Sequence, residues 1–317
     1  MIGDTMLNVG YLLPTRDQSV QGVHEPRALI AQAQRAEELG FDSVWAGDSP
    51  VTRPRADPLL LLAGVAQATE RVALGTAVLL PALRHPILLA HQLATLDQLS
   101  TGRLIVGMGG GFPNPNTRAQ FAAIGIGFRS RVSRLEESIA VMRRLWSGEA
   151  VSYRGEHFAF QDVGLSPLPS RPGGPPIWLA GSGSAALRRV ARLADGWLPY
   201  PVTATSYAED RESIERATTR PVTPALYATL CLDEDPGRAH RRLRASIERY
   251  YNAPFEFIAS IQALFAGSAR DAADWLNGYV TAGARDLVIR LATEDHNTGM
   301  EEFVDRVMPL LRKENHQ

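Results

Sequence analysis

PIWLAGSGSAALRRVARLADGWLP, residues 176–199, reads as strand, small-residue turn, amphipathic helix and second strand. Leu187, Val190, Ala191 and Ala194 recur at helical spacing while Arg188, Arg189 and Arg192 face away, so a helix begins just after Gly181-Ser182-Gly183. A helix start leaves unpaired N–H groups and the positive end of the helix dipole at the turn, and the two glycines let a ligand approach the backbone. The turn is therefore a candidate phosphate seat. It is equally a βα bend that needs glycine for geometry alone, and this segment does not separate the two.

The same alternation extends outward on both sides. Upstream, Leu7–Leu13 is a mostly apolar run closed by Pro14, and Arg27–Leu39 follows as a helix with Leu29, Ala33 and Ala36 inward and Gly40 as its stop. Phe41–Trp45 is the next strand, after which Asp57-Pro58 caps and starts a helix running to Ala68. Val72–Val78 comes next, then a helix from His85-Pro86 with Leu89, Leu93, Leu96 and Leu99 on one side, then a strand over Arg103–Met108. There the rhythm breaks. Gly109-Gly110-Gly111 and Pro113-Asn114-Pro115-Asn116 form a loop, a helix spans Arg131–Trp146, and Val151–Phe160 alternates weakly. Five prolines and two glycines between Pro167 and Pro176 close an insertion, residues 148–175, that supplies no main strand. Downstream, strands fall at Ile177–Ala180, Gly196–Leu198, Ala225–Leu232 and Asp286–Leu291, with a last helix at Met300–Leu311.

Eight apolar strands alternating with helices imply parallel crossovers and a sheet buried on both faces. The expected fold is α/β, a (β/α)8 TIM barrel with an insertion after strand 4, covering residues 1–317 as one domain. A doubly wound open sheet is the competing fold, but no Gly-x-Gly-x-x-Gly turn follows the first strand. A formal charge of -1, with arginines scattered over helix faces, argues against nucleic acid as a partner. Cys231 is the only cysteine, so neither an intrachain disulfide nor a cysteine-based metal cluster is expected, no metal is assigned, and a reducing cytoplasm fits best. Met1–Leu13 lacks the pattern of an export signal, and no apolar run approaches the ~18 residues of a membrane span.

In a barrel the site lies where strands run out. Here those ends are Trp45-Ala-Gly-Asp48-Ser49, Gly75-Thr76-Ala77-Val78, Gly107-Met-Gly109-Gly110-Gly111 and Ala180-Gly181-Ser182-Gly183. Small residues crowd one rim, which leaves room for a flat ring against backbone beside a phosphate. Asp48 is a strand-end carboxylate able to act on a ligand, or a loop cap. His85 is a weaker acid–base candidate, since a residue before Pro86 also serves to start a helix, and His24 and His91 are weaker still. Lys313 is the only lysine, which excludes Schiff-base chemistry in a phosphate-handling barrel aldolase.

Several runs taken together resemble the bacterial luciferase-like flavin or deazaflavin oxidoreductases over nearly the full length. They are Ala36-Glu37-Glu38-Leu39-Gly40-Phe41-Asp42-Ser43-Val44-Trp45, Leu74–Val78, His85-Pro86 continuing to Ala94-Thr95-Leu96-Asp97, Ser100–Leu104, Val106–Gly109, Arg134–Glu137 and Pro176–Pro199. The resemblance implies a cofactor ring across the strand ends, with a non-prolyl cis peptide near Gly75-Thr76-Ala77. It implies ring contacts from Thr76, Ala77, Gly107, Gly109 and Ala180, a phosphate at Gly181, Ser182 and Gly183, and Asp48, with His85, as the catalytic candidates. The Trp-x-Gly-Asp ending is closer to the branch that uses coenzyme F420, with FMN as the alternative. Many deazaflavin relatives carry a histidine after this aspartate and a glutamate in the fourth-strand loop, where this chain has Ser49 and glycine or Phe112, so no proton donor is identified. The implied activity is reduction or oxygenation of a small-molecule substrate. Alternatives are an FMN monooxygenase fed by a partner reductase and a non-catalytic partner subunit. A homodimer is implied, with Leu61, Leu62, Leu93 and Leu96 as contacts or as ordinary barrel packing. Substrate contacts are expected from Tyr11, Phe112–Asn116, Tyr200 and Tyr250–Phe257.

Overall fold

The computed structural model describes residues 7–52 and 54–313; the start of the amino-terminal run read above and the Lys313 side chain lie outside the described residues. In chain order the strands are β1 (Asn8–Leu12), β2 (Ser43–Ala46), β3 (Ala73–Thr76), β4 (Leu104–Met108), β5 (Val151–Arg154), β6 (Ala159–Val163), β7 (Ile177–Leu179), β8 (Gly196–Trp197), β9 (Thr223–Leu232), β10 (Leu264–Gly267) and β11 (Asp286–Leu291). Eight of them close a parallel ring in the order β1-β2-β3-β4-β7-β8-β9-β11, the last pairing back onto β1, which is the expected barrel. The insertion after β4 carries the antiparallel hairpin β5–β6. Among the described residues no helix is long and apolar enough to cross a membrane.

Two elements differ from the sequence expectation. Strand β10 was not expected; β9 is ten residues long, its first two residues pair with the two-residue β8, and its upper half takes β10 as a parallel neighbour instead. The final helix divides at Val307 into His296–Arg306 and Met308–Lys313.

The amino-terminal face of the barrel explains much of the sequence resemblance without chemistry. Glu37 accepts hydrogen bonds from the backbone N–H groups of Glu70, Arg71 and Val72, and these bonds outweigh burial to hold its carboxyl below the usual range. Arg103 ties the Ala66, Thr69 and Val72 carbonyls to the start of β4. Asp42 receives the Val9 N–H at 2.8 Å. These are joints between consecutive βα units.

Side chains of β1, β4 and β11 alternate between two apolar layers, as a closed sheet requires. Val9, Leu104 and Leu287 face the helices, whereas Leu12, Val288 and Ile105 face the interior with Trp45, Trp178, Leu198 and Ala225. Trp45 and Trp178 plug the barrel with ring centroids 5.3 Å apart. Three inward glycines make space for them. A Cβ at Gly75 would stand 2.0 Å from Trp45 Cε3, one at Gly10 2.5 Å from Trp45 Nε1, and one at Gly196 2.4 Å from Trp178 Cδ1. The indoles thus form a floor beneath the carboxyl-terminal mouth.

Leu61, Leu62, Leu93 and Leu96 are buried in the layer between helices and sheet, which is the barrel-packing alternative of the two readings. The exposed leucines of those helices (Pro58–Ala68 and Pro86–Leu99) are Leu60, Leu88 and Leu99.

Candidate active site

One wall of the mouth is the strip of small residues at the ends of β3, β4 and β7. Ala77, Val78, Gly110, Ala180 and Gly181 are partly exposed along it, and Ser182 and Gly183 are open to solvent. The peptide between Ala77 and Val78 is cis, one bond beyond the segment named from sequence. The floor also sits slightly higher than expected. Thr76 is fully buried, and its hydroxyl donates to the Gly107 carbonyl at 2.7 Å, so it ties β3 to β4 and does not face the mouth. Gly107 is buried too, because a Cβ there would meet the Thr76 carbonyl oxygen at 2.1 Å; strand packing alone demands glycine. Gly109 lies buried against Val78. The surface that a flat ring could touch is Ala77, Val78 and Ala180.

At the end of that strip, Gly181 and Gly183 have φ of 130° and 80°, and Gly183 caps the helix Ser184–Leu193 with no side-chain hydrogen bond to its first amides. Trp197 Nε1 donates to the Gly181 carbonyl at 3.0 Å and fixes the turn from below. Arg131, packed on Gly110, adds positive charge, and its Nε is buried without a partner. Burial first, then the nearby guanidinium groups of Arg118 and Arg189, lower the Arg131 pKa, the response expected of a crowded cationic corner. Glu136 neutralises Arg189 at 2.8 Å, so the uncapped amides with Arg131 and Arg118 are what favour an anion here.

Asp48 sits at the end of β2 with its side chain almost fully buried. Arg84 grips both carboxylate oxygens, Nη1 to Oδ2 at 2.5 Å and Nη2 to Oδ1 at 3.1 Å, and the Leu80 N–H adds a third donor at 3.0 Å. Burial pulls the Arg84 pKa down, but the hydrogen bonds from Arg84 to Asp48 outweigh it and the net shift is upward. Three converging donors make Asp48 an electrostatic tie between the loops after β2 and β3. Above it, Gly47 leaves room for Arg55, whose Nη1 stands 2.7 Å from where a Cβ would be, beside the Ala77 carbonyl. His85 is exposed; it caps the helix Pro86–Leu99, accepting from Ile87 N through Nδ1 at 3.4 Å, and packs edge-on against Phe158 of the insertion. His24 lines a cleft of about 220 Å³ between the loops after β1 and β2, and His91 is exposed on a helix face.

On the opposite wall the sequence indicates Tyr250–Phe257 and Phe112 but not the strand residues behind them. β9 and β11 occupy positions across the ring from β3 and β4, and their inward residues are Tyr227, Thr229 and Arg290. Arg290 is buried; its Nη2 donates to Asp17 at 2.8 Å and to Ser246 at 2.9 Å, and the Tyr250 ring covers the guanidinium at 3.9 Å. Burial raises the pKa values of Tyr227 and Tyr251 beside it, so both phenols stay protonated. Phe112, in the loop after β4, meets Phe257 at 6.1 Å and bridges the two walls. Tyr11 is the correction here. It faces the helices, packed on Phe41 and bonded to His296 Nδ1 at 2.9 Å, and takes no part in the mouth.

A (β/α)8 barrel with an open glycine turn on a small-residue rim is the architecture of a cofactor-dependent barrel enzyme. Residues 7–304 match the luciferase-like monooxygenase family, and the chain belongs to it, an oxidoreductase of the luciferase-like type. The F420-dependent glucose-6-phosphate dehydrogenase of Kineococcus radiotolerans is 30% identical over 322 residues, covering 90% of this chain and 94% of that protein. The F420-dependent hydroxymycolic acid dehydrogenase of Mycobacterium tuberculosis is 38% identical over 178 residues, covering 54% of this chain and 48% of that protein. Among solved structures, a monooxygenase from Streptomyces bottropensis aligns with a TM-score of 0.79 at 24% identity, covering 96% of this chain and 99% of that one. An F420-dependent secondary alcohol dehydrogenase aligns with a TM-score of 0.79 at 21% identity, covering 97% and 99%. These two likenesses concern the fold.

Proposed function

We propose that this chain uses the deazaflavin coenzyme F420 to move a hydride to or from a small organic substrate, binding the cofactor phosphate at Gly181-Ser182-Gly183 and its ring across Ala77, Val78 and Ala180. The observation that carries this reading is the open turn, with two positive-φ glycines ahead of a helix that no side chain caps, at the end of a strip cleared of side chains. Similarity to relatives named for F420 supports the deazaflavin over FMN. The residues fit the group: among the described residues, a Cβ at Gly183 would have nothing within 4 Å, and the Arg131 Nε has no hydrogen-bond partner.

When bound, the deazaflavin supplies the carbon that accepts or donates the hydride. The chain's own contribution is placement. The first amides of the helix Ser184–Leu193 hold the phosphate, the Asp48–Arg84 pair fixes the loops flanking the strip, and the Trp45–Trp178 floor excludes water from below. A homodimer through the helices that expose Leu60 and Leu88, a cytoplasmic setting and a separate enzyme that restores the cofactor's redox state belong to the same proposal; light scattering reads the first directly.

Fluorescence titration of the purified chain with F420 and with FMN tests the cofactor. Saturable F420 quenching is expected, lost in Ser182→Trp while circular dichroism stays unchanged. Tight FMN binding with none of F420 overturns the reading in favour of a reductase-fed monooxygenase, and uptake of neither in favour of a non-catalytic subunit.

A further inference from the structure

Arg290 on β11 and Thr229 on β9 are register partners, both inward-facing and both essentially inaccessible, at 1% and 0% exposure. Asp17 and Ser246 engage only the Nη2 of Arg290. Among the described residues, Arg290 Nε and Nη1, Thr229 Oγ1 and Gln262 Oε1 have no hydrogen-bond partner. Gln262 belongs to the same cluster: the carbonyl of Ala263 accepts from Thr229 N at 3.0 Å, and the Gln262 side chain bonds the Tyr251 phenol. Buried polar atoms are nearly always paired, so unmet donors and acceptors gathered on β9, β11 and the turn before β10 mark a place that a ligand completes.

We infer that this cluster anchors the substrate and that it takes a neutral, hydroxyl-bearing ring, an alcohol or a phenol, in preference to an anion. The unmet set contains N–H donors from Arg290, an amide acceptor from Gln262 and a hydroxyl from Thr229 that serves either way. A hydroxyl group is the small function that accepts from the first and donates to the second. Charge decides against a carboxylate or phosphate. Asp17 already compensates Arg290, and the second guanidinium here, Arg16, already lies over the Tyr250 and Tyr251 rings, so no cation in the cluster calls for a buried anion. Tyr227, with Tyr200 edge-on at 6.5 Å, supplies a flat face for the body of the ring. The helix Pro236–Tyr251 covers the cluster at its last turns through Ser246 and Tyr250. Because β9 and β11 stand across the barrel from β3 and β4, an anchored ring faces Ala77 and Val78. For the reaction the inference rests on the cofactor reading above; the anchor itself does not.

The test is done without cofactor, so that failure of the F420 reading leaves it intact. Saturation-transfer NMR measures phenol, anisole, benzoate and glucose 6-phosphate binding to the wild-type chain and to Arg290→Met, Gln262→Met and the near-isosteric Thr229→Val, which preserves the core if Arg290→Met does not fold. Phenol is expected to bind at least about tenfold more tightly than anisole or benzoate, and each folded variant to lose most of that preference. Tighter binding of benzoate or glucose 6-phosphate than of phenol, no saturable phenol binding, or a phenol-to-anisole ratio unchanged in the folded variants overturns the proposal.

Discussion

On one side of the barrel mouth, β3, β4 and β7 end in residues with almost no side chain; on the other, β9 and β11 end in Tyr227, Thr229 and Arg290. The first wall is shaped from beneath. Trp45 and Trp178 fill the interior, inward glycines flatten the strands around them, and Thr76 and Gly107 are consumed in joining β3 to β4. What remains at the surface is a strip that binds by shape and by backbone. The second wall is shaped from above, by a buried arginine only partly satisfied by Asp17 and Ser246 under a roof of tyrosines. Packing pins one wall and unmet polarity defines the other, so a one-atom change should unfold the first and leave the fold of the second intact.

Gly75→Ala tests the first half of that contrast and should have the largest effect. The added methyl would lie 2.0 Å from Trp45 Cε3, and Trp45 cannot yield because Trp178 lies against it. A loss of about 3 kcal/mol or more in urea unfolding is expected, or no folded protein at all. Full stability in this variant would show that the indole floor is loosely packed.

Asp48→Asn should come next. The amide keeps one acceptor oxygen but surrenders the charge that Arg84 grips, leaving a largely buried guanidinium with only Asp57, 3.3 Å away, as its carboxylate. A destabilisation of about 2 kcal/mol with weakened cofactor binding is the expected outcome, because removing one partner strands the other. If Asp48 instead served as a proton donor, stability and cofactor affinity would hold while turnover collapsed, and denaturation read beside a cofactor titration tells the two apart.

The two walls differed equally in how well the sequence displayed them. Barrel order was readable because strands buried on both faces are continuous apolar runs, and the glycine turn was readable because its residue types carry their own geometry. Those same continuous runs hide which side chains point inward. Leu7–Leu13 gives no alternation, so Tyr11 was assigned to the mouth although it faces Phe41 and His296. Thr76 and Gly107 were placed at the surface because strand ends are uncertain by a residue or two, enough to exchange floor for wall. The helix Pro58–Ala68 is apolar nearly all round, which is why Leu61 and Leu62 could not be told from the exposed Leu60. Arg290 does carry a signal in the sequence: in DLVIRL the two polar residues, Asp286 and Arg290, share one parity, and a charge inside a barrel strand needs a reason.

That parity makes β11 a column with Asp286 at the amino-terminal end, Val288 in the apolar interior and Arg290 at the mouth. Burial, opposed by the Asn8 hydrogen bond and reinforced by Asp42, pushes the Asp286 carboxyl from its ordinary 3.8 up to about 6. Between those values the folded chain holds a proton that the unfolded chain has released, so stability contributed by this group is full at low pH, falls as pH rises through the window and stays low above it. Asp286→Asn keeps an acceptor for Asn8 Nδ2, now at 3.0 Å from Asp286 Oδ1, and removes the charge. The variant should be more stable than wild type by about 1 kcal/mol near pH 7.5, a figure reduced for the partial exposure of the site, and the difference should vanish near pH 4. Denaturation curves at the two pH values measure it. A gain that is independent of pH would mean that the carboxylate is not held under protonating pressure. The lower end of this column would then be as well satisfied as the small-residue wall, and the unmet polarity of β11 would belong to Arg290 alone.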